Sequence, residues 1–290
     1  MSILGFIAKM NCSHGRKELQ THAIMITLKK QLIGIENGRN FRELGGYQTL
    51  QGKKIKFHKL IRSGHLGDLS SADREQLTAY GVHYDLDFRT KQEVIEKPDR
   101  VPEGAIYEFD PVFSDDLTNA SKGVGEVDIW AKNDPDFGFQ HMLKAYDDMI
   151  QGDSAQKAYR RFFTLLLEND QEDQSMLFHC TAGKDRTGFA AFILLSALQV
   201  PLKTIQADYL LTNEVTQDFI AFKLAQGKAD GVNANVLQSI KDIQSVHAAY
   251  LDHALATVKA QYGGIDAYLQ KAMQLSKEDL HDLRELYLTD

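Results

Sequence analysis

The sequence has few cysteines, few prolines and no long apolar run, and each of these absences excludes a class of protein. Its 290 residues contain 2 cysteines, Cys12 and Cys180, too few for a disulfide framework or a cysteine zinc site. The 5 prolines and ordinary composition exclude collagen-like and disordered chains. No apolar run approaches the roughly 18 residues of a membrane-spanning helix. We therefore expect a soluble globular protein with no stable membrane insertion.

Positive charge is also in deficit. The chain carries 33 Lys and Arg against 40 Asp and Glu, a net charge of -7, which argues against a nucleic-acid partner. Any anion must then be held by a local site. The short apolar N-terminal stretch is interrupted by Lys9 and Asn11 and lacks a preceding basic segment, so no cleavable signal peptide is predicted. The cytoplasm is the expected location, with export as the alternative.

Hydrophobic periodicity predicts strands and helices in alternation. The predicted strands are Val82–Phe88, Ala105–Phe109 and Ser175–His179, and the predicted helices are Ser71–Tyr80, Phe139–Ile150, Ser154–Glu168 and Phe189–Val200. The last of these helices is apolar on every side, so it is expected at the centre of the fold. This order predicts an α/β fold with a mostly parallel central sheet flanked by helices.

We expect one domain over residues 1–290. Residues 1–30 show little periodicity and are interpreted as an arm or an early helix. Residues 112–137 are polar and predict a long surface loop or a lid. From Leu202 onward the pattern is helical.

The most informative segment lies between the apolar strand and the apolar helix. It reads His179, Cys180, Thr181, Ala182, Gly183, Lys184, Asp185, Arg186, Thr187, Gly188. In parallel sheets, ligands bind where strands end and helix N-termini point their free N–H groups at anions. A helix N-terminus at this position, together with the positive charges of Lys184 and Arg186, favours the thiolate form of Cys180. A buried cysteine is often only a small core side chain, but these neighbours favour the catalytic interpretation.

The spacing of Cys180 and Arg186 predicts hydrolysis of phosphate esters through a cysteinyl-phosphate. Cys180 would attack phosphorus in line, while Arg186 and the loop N–H groups would stabilise the equatorial oxygens. Thr187 is expected to donate a hydrogen bond to the sulfur. His179 is expected to order the loop from behind. The phosphate-binding loop would further comprise Thr181, Ala182, Gly183, Lys184 and Gly188.

The loop H-C-T-A-G-K-D-R-T-G resembles that of the bacterial atypical, or triple-specificity, protein tyrosine phosphatases of the cysteine-based phosphatase superfamily. Further blocks that carry the resemblance are N-F-R-E-L-G-G (Asn40–Gly46), I-R-S-G (Ile61–Gly64), D-F-R-T (Asp87–Thr90), K-P-D-R (Lys97–Arg100) and A-D-Y-L-L-T-N (Ala207–Asn213). The resemblance implies a cysteine-based phosphatase fold in which a helical pair after the loop can cover the active site. Residues 214–257 would be that helical lid here.

A leaving oxygen needs a proton, and the sequence offers three candidate acids. Many relatives use a Trp-Pro-Asp loop, but here Trp130 is followed by Ala131. We prefer Asp185, which matches the aspartate given the acid role in the resembling group. Asp87 is the second candidate, as an acid or an orienting group, and Asp136 the third.

Two further arginines, Arg62 and Arg89, are expected to support the loop. The histidines show no metal-ligand spacing, and cysteinyl-phosphate chemistry needs neither metal nor cofactor. Lys184 would favour a second phosphate or an acidic lipid headgroup, or would only stabilise the thiolate. We therefore expect a phosphotyrosine phosphatase of broad specificity, acting first on phosphotyrosine proteins or peptides, with phosphoserine and phosphoinositides as secondary substrates. The alternatives are a phosphoinositide 3-phosphatase and a non-catalytic phosphate-binding adaptor.

Overall fold

The computed structural model describes residues 31–118 and 131–289, and a five-stranded sheet runs through the middle of this part of the chain. The strands are β1 (Arg42–Glu43), β2 (Leu60–Ser63), β3 (Val82–Asp87), β4 (Ile106–Phe109) and β5 (Ser175–His179), in the order β1-β2-β5-β3-β4. Only β1 pairs in an antiparallel sense. The C-terminal ends of the other four strands therefore meet at one edge of the sheet, with β5 between β2 and β3.

Helices surround this sheet. In chain order they are α1 (Ser71–Tyr80), α2 (Lys91–Glu96), α3 (Phe137–Gln151), α4 (Asp153–Glu168), α5 (Arg186–Ala197), α6 (Leu202–Val215), α7 (Gln217–Ala229), α8 (Ala234–Gln244), α9 (Ala248–Tyr262), α10 (Ile265–Lys271) and α11 (Lys277–Tyr287). The α/β class and the mostly parallel sheet predicted from the sequence are confirmed. None of the helices in the described ranges combines the length and apolar character that a membrane crossing requires.

Strand β5 is buried on both faces, which explains its unbroken apolar sequence. Because successive side chains alternate between faces, Phe178 points to the larger core and Leu177 to the smaller one. In the larger core, Phe178 packs against Phe162 of α4, with ring centroids 4.8 Å apart. Helix α5 is buried along nearly its whole length against the same core.

The predicted elements match the structure closely at α1 and β5, but the start of the buried helix was wrong. It was predicted to begin at Phe189, yet α5 begins at Arg186. The backbone N–H of Phe189 donates to the carbonyl of Asp185 (2.7 Å), so the first helical turn already includes Thr187 and Gly188. Burial of this turn in the core overrides the loop-like character of its charged and glycine residues.

Two predicted segments lie partly or wholly outside the described residues. The arm over residues 1–30 is not described, and neither are residues 119–130 of the predicted excursion. The predicted lid, residues 214–257, contains α7, α8 and the first turns of α9. The structure thus places a helical pair in the range where the resemblance implied one.

Candidate active site

The loop that carries Cys180 joins β5 to α5 at the edge where the parallel strands end. Cys180 follows β5 directly, and the loop closes into α5 at Arg186. The cysteine therefore lies beside a helix N-terminus, where free N–H groups and the helix dipole favour anions. Only 2% of the Cys180 surface is exposed, so the thiol is covered in this structure.

Gly183 allows the loop to lie against the end of β2. Its φ is +66°, a left-handed conformation that side chains other than glycine rarely adopt. A Cβ at this position would lie 2.4 Å from the carbonyl oxygen of Ser63. Glycine is therefore required at position 183, because the loop backbone lies against the backbone at the end of β2 and leaves no room for a side chain.

Two residues from the β1–β2 region hold the loop by its carbonyl groups. Arg62 donates through Nη2 to the carbonyl of Gly183 (2.9 Å), and Asn40 donates to the same carbonyl (2.8 Å) and to that of Ala182 (3.1 Å). Arg62 was predicted as loop support, and its guanidinium contacts the loop directly. These bonds fix the backbone orientation of the loop.

Asp208 of α6 holds the supporting arginines in place. Its Oδ2 accepts from Arg62 (2.6 Å) and its Oδ1 accepts from Arg42 (2.8 Å) and Tyr47 (2.9 Å). Burial alone would raise the pKa of Asp208, but Arg42 and Arg62 lower it to about 2. Asp208 is thus a buried anion between two buried cations.

Arg186 is fully buried and paired with a carboxylate that the sequence analysis missed. Its Nη1 and Nη2 donate to the two carboxylate oxygens of Glu93, at 2.7 and 2.9 Å. Thr181 donates to Glu93 through its hydroxyl, so one carboxylate holds two parts of the loop. Nε of Arg186 makes no hydrogen bond within the described ranges and remains available for a phosphoryl oxygen.

Glu93 lies in α2 and also caps this helix. Its side chain accepts from the backbone of Thr90 (2.9 Å), and the Thr90 hydroxyl caps the N–H of Glu93 in return. Burial opposes its ionisation, but Arg186 lowers the pKa of Glu93 to about 2. The capping-box spacing of Thr90 and Glu93 is the only signal in the sequence, and it points to a helix start rather than to Arg186.

Asp185 is the candidate acid in the most suitable environment. Its side chain is buried, accepts a hydrogen bond from the Tyr146 hydroxyl (3.3 Å), and lies 3.2 Å from Nζ of Lys184. Burial raises the pKa of Asp185 above its ordinary value, although Lys184 and Arg186 act in the opposite direction. The protonated form, which an acid needs, is therefore favoured more than in an exposed aspartate.

The other two candidate acids lie in different environments. Asp87 accepts from the backbone and guanidinium of Arg89 and from the Tyr107 hydroxyl (3.0 Å), so its oxygens are already engaged. Asp136 is exposed at the start of α3. Of the three, Asp185 alone belongs to the loop that carries Cys180.

Lys184 does not face an open pocket in this structure. Its ammonium group donates to the carbonyl of Ile243 and, at 3.4 Å, to that of Ser245, both at the C-terminal end of α8. The side chain is nearly inaccessible to solvent. The lysine therefore links the loop to the helical segment that follows it.

The expected hydrogen bond from Thr187 to the sulfur is not formed in this structure. The Thr187 hydroxyl is buried and has no hydrogen-bond partner among the described residues. Gly188 follows in the same buried turn of α5. Both residues thus belong to the helix start that faces the loop.

His179 is the last residue of β5 and adjoins the loop, whereas Arg89 contacts the carboxylates around His179. Nδ1 of His179 is 3.4 Å from the carbonyl oxygen of Cys180. Burial lowers the pKa of His179, but Asp99 and Asp87 outweigh this and raise it well above the ordinary value. Arg89 binds Asp87 and Asp99, and its described contacts do not include the loop itself.

A cavity of about 280 Å³ opens beside the loop. His65 and Arg39 line it, and the backbone of His65 contacts the loop, since its N–H donates to the carbonyl of Thr181 (3.2 Å). The opposite wall is the junction of α6 and α7, where Phe219 lies under the Arg39 guanidinium, 4.0 Å from guanidinium carbon to ring centroid.

Comparison with known proteins gives a consistent result. The model of the tyrosine phosphatase family matches residues 33–289. A protein of Cupriavidus necator named as a candidate tyrosine-protein phosphatase is 32% identical over 86% of this chain and 85% of its own length. A tyrosine-protein phosphatase of Nostoc commune is 27% identical over 77% of this chain and 72% of its own. The triple specificity protein phosphatase PtpB of Mycobacterium tuberculosis is 29% identical over 80% of this chain and 91% of its own.

The Glu93–Arg186 pair yields a stability prediction. We expect Glu93→Gln to lower the free energy of unfolding by about 3 kcal/mol, because it leaves a buried guanidinium without its counterion. Urea denaturation at neutral pH measures this. Glu96→Gln, at an exposed position of the same helix, is the matched control and should change stability little.

The same pair predicts a pH dependence. The folded-state pKa of Glu93, about 2, lies below its ordinary value of 4.5, so its contribution is complete above pH 4.5 and is lost as the pH falls towards 2. Wild type should therefore lose more stability than Glu93→Gln between these pH values. Equal losses in both proteins would contradict the assignment.

Proposed function

The chain belongs to the tyrosine phosphatase family and is a protein-tyrosine phosphatase, and we propose that it works through a cysteinyl-phosphate with broad substrate specificity. The observation that carries the proposal is the position of Cys180 and Arg186 in one buried loop at the N-terminus of α5. A sulfur nucleophile and a guanidinium whose Nε has no hydrogen-bond partner among the described residues thus belong to the same loop, as transfer of a phosphoryl group to sulfur requires.

In the first step the Cys180 thiolate attacks phosphorus, and the bond from phosphorus to the leaving oxygen breaks. Asp185 gives its proton to that oxygen, while Arg186 and the loop N–H groups stabilise the negative charge of the transferring group. In the second step water attacks phosphorus and the bond to sulfur breaks. Asp185 takes the proton from water, and inorganic phosphate leaves with the thiolate restored.

For substrate preference, we propose phosphotyrosine first, with phosphoserine and phosphoinositides as secondary substrates. The triple specificity in the name of the mycobacterial relative supports breadth. The ammonium of Lys184 is bound by carbonyl groups of α8, which reduces its value as a binding group for a second phosphate. A cytoplasmic location is proposed because a catalytic thiol needs a reducing compartment.

Kinetics on three substrates test the proposal: a phosphotyrosine peptide, a phosphoserine peptide and a soluble 3-phosphoinositide headgroup. We expect the phosphotyrosine peptide to give the highest kcat/KM and Cys180→Ser to lose roughly 10⁴-fold or more in kcat, because the nucleophile is removed. Steady-state phosphate release without added metal measures both. The highest kcat/KM on the lipid headgroup would favour the phosphoinositide 3-phosphatase. Binding of the substrates without turnover would favour the phosphate-binding adaptor. Activity retained in Cys180→Ser would contradict the mechanism.

The acid role of Asp185 has its own test. Asp185→Asn should lower turnover of alkyl phosphates by about 10²-fold or more, and turnover of aryl phosphates less, because phenolic leaving groups need less protonation. With alkyl substrates the rate should also fall as the pH rises through the pKa of Asp185, since the proton is then lost. This alkaline decrease should be absent in Asp185→Asn.

Asp136→Asn is the matched control for this test, because Asp136 is an exposed carboxylate outside the loop. Its pH profile and its ratio of alkyl to aryl turnover should equal those of wild type. An Asp185→Asn variant with the same loss on both substrate types would show that another group supplies the proton.

We further propose that α7 and α8, within residues 214–257, act as a lid over the loop. The Cys180 thiol is covered, Lys184 is bound to the end of α8, and Phe219 of α7 packs against Arg39 beside the cavity. Helix α7 has only Gly227 fully buried, so few contacts hold it down. A substrate reaches Cys180 once these contacts open.

The rate of Cys180 alkylation by iodoacetamide in a Cys12→Ser background tests the lid. Phe219→Ala removes a cation–π contact of about 0.5–1 kcal/mol, so alkylation should become about 2–5-fold faster. Phe222→Ala, on the exposed side of the same helix, should leave the rate unchanged. Equal rates in wild type and Phe219→Ala would contradict the lid.

A further inference from the structure

Behind the catalytic loop, three side chains from separate parts of the chain converge in the protein interior. They are Asp85 of β3, Asp99 from the segment after α2, and His179 of β5, which we call the buried triad. One ligand-type atom from each lies within 4.8 Å of the others. Nε2 of His179 is 3.2 Å from Asp85 Oδ1 and 3.4 Å from Asp99 Oδ2.

Asp85 is the unexplained member of the triad. It is fully buried, yet neither of its carboxylate oxygens accepts a hydrogen bond from the described residues. Nε2 of His179 also forms none, so despite the short distances its direction matches neither carboxylate. Asp87, two residues further along β3, accepts from Arg89 and Tyr107. An unpaired buried carboxylate is costly, and such a group calls for a partner.

The charges around the triad also call for a cation. Three carboxylates, those of Asp85, Asp87 and Asp99, lie around one guanidinium, that of Arg89, and the imidazole of His179. Arg89 is bound to Asp87 and Asp99, which leaves Asp85 with the imidazole alone.

The other nitrogen of the imidazole completes the pattern. Nδ1 of His179 lies 3.4 Å from the carbonyl oxygen of Cys180, a position from which Nδ1–H donates to this carbonyl. With Nδ1 as the donor to this carbonyl, Nε2 is the nitrogen that faces Asp85 and Asp99. Metal-binding histidines commonly donate their second N–H to a backbone carbonyl in this way.

We propose that the buried triad binds one divalent cation of the zinc type, with Nε2 of His179 and one oxygen each of Asp85 and Asp99 as ligands. Imidazole and carboxylate suit Zn²⁺, whose bonds to them are about 2.0–2.2 Å long. The distances from Nε2 to the two carboxylate oxygens, 3.2 and 3.4 Å, suit ligands of one ion with bonds of that length. Binding releases the Nε2 proton and supplies the missing counter-charge to Asp85. The ion takes no part in phosphoryl transfer, and it fixes His179 and with it the Cys180 carbonyl.

Metal binding is tested on the full chain in a Cys12→Ser, Cys180→Ser background, which removes thiolates as competing ligands. Equilibrium dialysis with Zn²⁺ and visible absorption with Co²⁺ should both show one saturable site per chain. Asp85→Asn and Asp99→Asn should each weaken binding by about 10–100-fold or more, because each removes a ligand. Asp68→Asn changes an exposed carboxylate outside the triad and should bind the metal as the parent does.

Thermal unfolding controls for misfolding. Without metal, Asp85→Asn should be no less stable than the parent, because an unpaired buried charge is removed. With Zn²⁺, the parent should gain thermal stability and Asp85→Asn should not. No saturable binding, binding unchanged in Asp85→Asn, or a His179 that NMR shows doubly protonated at saturating Zn²⁺ would overturn the proposal. None of these readouts depends on phosphatase activity.

Discussion

The ion pairs between Asp208 and two arginines are the constraint on which the catalytic loop depends. Asp208 pairs with Arg42 and Arg62, all three buried between α6 and the sheet, and Arg62 also donates to the carbonyl of Gly183. Loss of one member would leave buried charges without partners, which costs more than the pair itself contributes. These ion pairs therefore hold the loop backbone in a single conformation before substrate binds.

The same principle applies to each charge at the site, because each has a partner from a different element. Arg186 is held by Glu93 of α2, and Lys184 by the carbonyl groups at the end of α8. These surroundings separate the carboxylates by function. The pKa values of Glu93 and Asp208 are lowered to about 2 by arginines, so they remain anions, whereas burial raises that of Asp185. A group with a raised pKa beside the nucleophile suits an acid.

Cys180 is covered in this structure, and contacts of different kinds surround its loop. Lys184 binds α8 and Phe219 stacks on Arg39, but α7 itself buries little surface. Elements with few buried contacts are those that open most readily. Ion pairs therefore hold the base of the loop, whereas a carbonyl contact joins Lys184 to the end of α8 and an aromatic contact joins Arg39 to α7.

Short-range features of this protein were determined by the sequence itself. The apolar run Ser175–His179, the helix Ser71–Tyr80 and the spacing of Cys180 and Arg186 are local, so periodicity and motif predicted the strand, the helix and the α/β class, and they located the loop that carries Cys180. Tertiary structure decided the partners of these groups. Glu93 meets Arg186 across 93 positions and Asp208 meets Arg62 across 146, and no local pattern encodes such pairings. Tertiary structure also determines that α5 begins at Arg186, that Lys184 contacts α8 and that Asp85 lies beside His179. Burial in a shared core decides which of these side chains meet.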